Sequence, residues 1–135
     1  MPIYDVVTVT ETKVDCVVTT HSTSIYPYLQ NRQDRSCYGD GLITYIKASL
    51  KPQIPTIRQE EATKSGLEVT LSAILTNGLN TLILVGVYRP PSSSSQWFSK
   101  FNQLITDLLS LGKLVVLGDL NVGLLNPLVI CVNPL

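Results

Sequence analysis

The sequence predicts a single α/β domain, and three observations carry that prediction. Segments rich in β-branched residues recur at 3–10, 42–50, 67–75 and 81–88 and read as strands. A helix with one apolar stripe over 95–111 runs directly into an apolar strand at 113–118. Asn77-Gly78 is the strongest hairpin dipeptide in the chain and makes 67–75 and 81–88 antiparallel neighbours. Mixed strand directions combined with a strand–helix–strand passage define the α/β class.

The first strand, Ile-Tyr-Asp-Val-Val-Thr-Val-Thr, begins almost at residue 1 and leaves Glu11 at its carboxyl end. Glu11 reads either as a solvated turn residue or as an acid presented by a strand end. Residues 15–39 carry Pro27 and a run of Ser and Thr, and predict a long loop with at most a turn of helix. Arg32 and Arg35 in that loop suit either phosphate contacts or ordinary surface ion pairs, and the second reading is the simpler one. His21, the only histidine, has no local acid to orient it and reads as a loop residue.

Gly39-Asp40-Gly41 is a turn signal before the strand 42–50, and the proline- and charge-rich stretch 51–66 predicts a surface connection. In the strand 67–75, Glu68, Thr70 and Ser72 alternate with Leu67, Val69 and Leu71, which predicts a half-solvated polar face. The strand 81–88 must stop at Tyr88-Arg89-Pro90-Pro91, because two prolines cannot donate to a ladder. Serines 92–95 offer N-caps, Trp97, Phe98, Phe101, Leu104, Ile105, Leu108 and Leu109 form the helical stripe, and Gly112 stops it.

Lys113 to Asn121, Lys-Leu-Val-Val-Leu-Gly-Asp-Leu-Asn, organises the rest. Its apolar run predicts a strand covered on both faces, Gly118 relieves the backbone at its end, and Asp119 and Asn121 then point the same way. In open α/β sheets ligands gather at the carboxyl ends of strands, so a carboxylate and an amide there suit a metal-bound phosphate. The same two residues also make a plain Asx turn. Residues 122–135 are apolar with Pro127 and Pro134, and read as a last short strand near Leu128–Val132 or as a tail unrelated to a domain spanning 1–121.

Ten basic and ten acidic residues cancel, so net charge does not advertise a nucleic-acid partner, and 44% hydrophobic against 15% charged residues excludes general disorder. Cys16, Cys37 and Cys131 are odd in number and contain no Cys-x-x-Cys, which fits neither a disulfide framework nor a zinc site and points to a reducing compartment. No apolar run approaches the roughly 20 residues of a membrane span, and no signal-peptide pattern opens the chain. The expected setting is intracellular and soluble, with no membrane partner.

Four segments in order, Thr10-Glu11-Thr12, Gly41-Leu42-Ile43-Thr44-Tyr45-Ile46, Tyr88-Arg89-Pro90-Pro91 and Gly118-Asp119-Leu120-Asn121, resemble the endonuclease/exonuclease/phosphatase superfamily. They look most like the endonuclease domain of LINE-type retrotransposons, in which Tyr-Arg-Pro-Pro, a helix and Gly-Asp-Phe-Asn follow one another. The resemblance implies part of a DNase I-like, four-layer fold, a two-sheet β-sandwich flanked by helices. It also implies a Mg2+ site with Glu11 as ligand, Asp119 activating water, Asn121 holding the scissile phosphate and Tyr88 contacting it. DNA is the implied partner, and the nucleus the implied location if a retroelement function is retained.

The resemblance also has departures. It starts after a first strand carrying an asparagine, and the family's Ser-Asp-His motif is absent from these residues. That predicts an incomplete nuclease, impaired to little or no activity alone, with apolar sheet surface open to self-association. The alternatives are a non-catalytic remnant or interaction domain, and a phosphatase of the same superfamily, against which Tyr-Arg-Pro-Pro argues.

Overall fold

Two three-stranded sheets lie face to face. The computed structural model describes residues 4–36, 39–54, 56–76 and 80–122. Its elements are β1 (Val6–Thr10), β2 (Tyr28–Ser36), β3 (Gly39–Lys47), α1 (Thr56–Lys64), β4 (Glu68–Leu75), β5 (Thr81–Tyr88), α2 (Gln96–Leu109) and β6 (Lys113–Asp119). The first sheet runs β1-β3-β2 and is antiparallel throughout; the second runs β4-β5-β6, with β4 antiparallel and β6 parallel to β5. The parallel pair needs a crossover, and α2 supplies it.

Helix α2 buries Trp97, Phe101, Ile105 and Leu108 at helical spacing against Val69, Leu71, Val85 and Val87 on the outer face of the second sheet. Trp97 stacks on Phe101 with ring centroids 5.0 Å apart, which adds specific geometry to this cluster. The outer face of the first sheet is covered by segment 12–25 instead of a helix, with Arg32 donating to the Asp15 and Val18 carbonyls and Tyr45 to that of Thr23. Among the described residues the fold is thus α/β, a sandwich with a helix layer on one side.

The sequence expectations hold for β1, β3, β4, β5, α2 and β6, within a few residues at the ends. Two elements differ. The loop expected over 15–39 contains β2, which pairs with β3 along its length, and the surface connection 51–66 contains α1. The two are coupled: Asn31 on β2 donates to the Leu71 carbonyl and to Gln59 of α1, and Gln59 accepts from the Leu71 amide. Together they close the free side of β4, whose backbone is also bridged by Gln53 at Ala73.

Two burial expectations also change. The polar face of β4 is not solvated: Glu68, Thr70 and Ser72 are buried between the sheets. Thr44 sits 2.7 Å from Thr70 and 3.1 Å from Thr8, hydroxyl to hydroxyl, so the threonines satisfy one another in the sandwich interior. Strand β6 is not covered on both faces: Val115 remains 39% exposed, and among the described residues β6 is the last strand of its sheet. The hairpin dipeptide Asn77-Gly78 and the tail beyond Val122 lie outside the described residues; the flanking Thr76 and Asn80 bond through their backbones at 2.8 Å.

Gly86 makes the close approach at the threonine cluster possible. A Cβ there would sit 2.3 Å from Thr70 Oγ1 and 2.4 Å from Thr44 Oγ1. Gly86→Ala is therefore expected to overpack the interior and part a buried hydroxyl pair, at about 2–3 kcal/mol. Urea unfolding tests this as a lower midpoint at unchanged slope.

Candidate active site

The strand ends that the sequence marked converge at one edge of the sandwich. Tyr88 and Asp119 are register partners at the carboxyl ends of the parallel strands β5 and β6, so both side chains leave the sheet on the side facing the other one. Strand β1 packs against β5 and β6 from that side and delivers Glu11 one residue past its end. The phenol of Tyr88, 1% exposed, donates to Glu11 Oε1 at 2.9 Å. This hydrogen bond joins the two sheets and holds the glutamate at the carboxyl end of β5.

Glu11 and Asn121 both adopt left-handed backbone, with φ of 53° and 46°. For a glutamate this conformation costs roughly 1 kcal/mol and is uncommon. Such costs concentrate where function demands a particular aim. The Asn121 amide nitrogen donates to Asp119 Oδ1 at 2.8 Å, which is the Asx turn, and its side-chain Nδ2 donates to the Arg89 carbonyl at 2.6 Å. Asn121 therefore lies beyond the strand's alternation, and the expectation that it points with Asp119 gives way to a turn that folds it back against Arg89. The Asx turn and the strand-end site coexist in the same residues.

Glu11, Tyr88, Asp119 and Asn121 are thus brought to one edge. His21 lies apart from it in an exposed 3-10 turn, Thr20–Thr23. Arg32 pairs with Asp34 at 2.7 Å, as the ion-pair reading expected; the Arg35 side chain is outside the described residues. A groove of about 490 Å³ opens beside the site, lined by Asp34, Glu68, Pro90, Trp97 and Lys100 among others, and it excludes Glu11, Asp119 and Asn121. Glu11, Asp119 and Asn121 sit at exposed strand ends and not in this groove.

Sequence reasoning missed Arg89 as an individual residue. It appeared only within Tyr-Arg-Pro-Pro, and its bonds to the turn 119–121 depend on β5 and β6 being parallel neighbours.

The donor set can be tested against a metal ion. No group of three or more His, Cys, Asp and Glu side chains gathers among the described residues, which does not suit a closed transition-metal site. Two exposed carboxylates, Glu11 and Asp119, do suit a hard divalent cation that takes one or two protein carboxylates and completes its shell with water and phosphate oxygens. No helix among the described residues is long and apolar enough to cross a membrane.

Neither curated proteins nor solved structures yield a match. The sequence model of the endonuclease/exonuclease/phosphatase family matches residues 2–127, nearly the whole chain. That family comprises phosphodiester hydrolases that in general depend on a divalent metal and act on nucleic acids. The chain belongs to the endonuclease/exonuclease/phosphatase family.

Proposed function

We propose that the chain is a magnesium-dependent phosphodiesterase domain acting on DNA, of the retroelement endonuclease type, with low activity by itself. The observation that carries this reading is the Tyr88–Glu11 hydrogen bond, because it ties a carboxylate following the first sheet to the residue of β5 that is the register partner of Asp119. Tyr-Arg-Pro-Pro and Gly-Asp-Leu-Asn, in their order and spacing, support the retroelement branch. A nuclear location follows if that role is retained.

In this reading Glu11 would hold the cation. When bound, it supplies charge neutralisation for an in-line displacement at phosphorus. Tyr88 fixes the rotamer of Glu11. Asp119 keeps one carboxylate oxygen in the Asx turn and offers the other to a water proton. Asn121 spends one N–H on the Arg89 carbonyl and retains the second for a phosphate oxygen. The 135 residues contain no Ser-Asp-His motif, so an acid/base contribution of about 10²–10⁴ in rate is missing from the chain as it stands.

Nicking of supercoiled plasmid tests the reading. The expected result is slow conversion to open circle in magnesium, lost on chelation and lost in Asp119→Ala. Nicking that survives both controls overturns the assignment. Absent nicking together with absent magnesium binding favours a non-catalytic interaction domain, the reading supported by the half-exposed edge strand β6 and its exposed Val115.

A further inference from the structure

We propose that Arg89 is a positioning residue for the Asp119–Asn121 turn, acting through a guanidinium held between that turn and the aromatic start of α2. The inference rests on the phosphodiesterase reading above and adds a residue to it.

Arg89 engages each residue of the turn. Its backbone N–H donates to the Asp119 carbonyl at 2.8 Å, and its carbonyl accepts Asn121 Nδ2 at 2.6 Å. Its Nη1 reaches back to the carbonyls of Asn121 at 3.3 Å and Leu120 at 3.5 Å. One residue at the end of β5 thereby holds the chain just past the end of β6 from both sides.

The other face of the guanidinium is also held. Its carbon lies 4.6 Å from the centroid of the Phe98 ring and 5.9 Å from that of Trp97, both within cation–π range. Trp97 in turn stacks on Phe101 in the core beneath α2. The turn carrying Asn121 is therefore referenced to the buried cluster beneath α2 and not only to its own strand.

The hydrogen-bond pattern points to aim more than to stability. The Nη1 bonds are long, and Nε is buried with no partner among the described residues. What this placement does secure is the orientation of Asn121, whose left-handed backbone would otherwise relax.

Arginine and lysine are not equivalent in such a place, because the planar fork both stacks and donates. The test compares wild type, Arg89→Ala and Arg89→Lys by nicking kinetics, by thermal melting, and by the side-chain amide resonances of Asn121 in nitrogen–proton correlation spectra. In Arg89→Ala, kcat is expected to fall about 10- to 100-fold with KM within about twofold, the magnitude usual for residues that orient a site's ligands. The backbone carbonyl that accepts Asn121 Nδ2 remains in the variant, so the Asn121 amide pair should shift because the turn relaxes once the guanidinium's bonds to the Leu120 and Asn121 carbonyls are lost. Arg89→Lys should recover part of both effects while the variants melt within a few degrees of wild type. An unmoved amide pair in Arg89→Ala overturns the proposal, as does a rate loss that only tracks the folded fraction. If the wild type itself does not nick, the phosphodiesterase reading fails, and the amide resonances still decide whether Arg89 holds the turn.

Discussion

Gly118→Ala is expected to be the most damaging single methyl group that can be added to this protein. Gly118 occupies the last stretch of β6 with φ of 142°, a backbone region that L side chains rarely enter. A Cβ there would lie 1.8 Å from the Val87 carbonyl oxygen and 2.8 Å from its carbon, inside the parallel ladder itself. The obstacle is backbone, so no rotamer change relieves it, and β6 must separate from β5 at the register pair Val87–Gly118. Backbone strain of about 1–3 kcal/mol combined with overpacking of about 1–3 kcal/mol is comparable to the whole stability of a small domain. The expected outcome is an insoluble or largely unfolded product by circular dichroism. A melting temperature within two or three degrees of wild type would show that the close approach at Gly118 is not required.

The same residue explains why the site could be read from the sequence. A run of apolar residues that ends in glycine and is followed by Asp and Asn carries its own meaning: strand, close approach, polar groups. Strand β5 and helix α2 were legible for a related reason, since each buries an apolar stripe whose period is set by its own geometry. Strand β2 lacks such a stripe. Its inward residues Asn31 and Gln33 are polar and find partners on α1 and β4 only after those elements have docked. Helix α1 is polar and depends on the same contacts. The burial of Thr70 and Ser72 was misread because alternation shows which residues share a face and not what covers that face. Glu11, Tyr88, Asp119 and Asn121 were legible as strand-end residues. The left-handed backbone at Glu11 and the hold of Arg89 on the turn were not, because both exist only through contacts between strands distant in sequence.

Glu11 offers a test in which activity should fall while stability barely changes. Its side chain accepts the Tyr88 phenol while its backbone sits at φ 53°, where glutamate is strained and glycine is not. Glu11→Gly is expected to release roughly 1 kcal/mol of backbone strain and to forfeit a hydrogen bond worth about as much, so melting should change by only a few degrees. Glu11→Gln keeps the shape and can still accept from Tyr88, so its melting should match wild type closely. Both variants remove the charge that the proposed magnesium site requires. Wild type should therefore melt at higher temperature in millimolar magnesium than in chelator, as any ligand that binds only the folded state dictates. That increment should vanish in both variants, and nicking should fall by about 10²-fold or more, the scale of losing an electrostatic group aimed at the reaction. Retention of the magnesium increment in Glu11→Gln would remove Glu11 from the cation site. The Tyr88–Glu11 bond would then stand as a structural link between the sheets, and Asp119 would be the carboxylate to examine next.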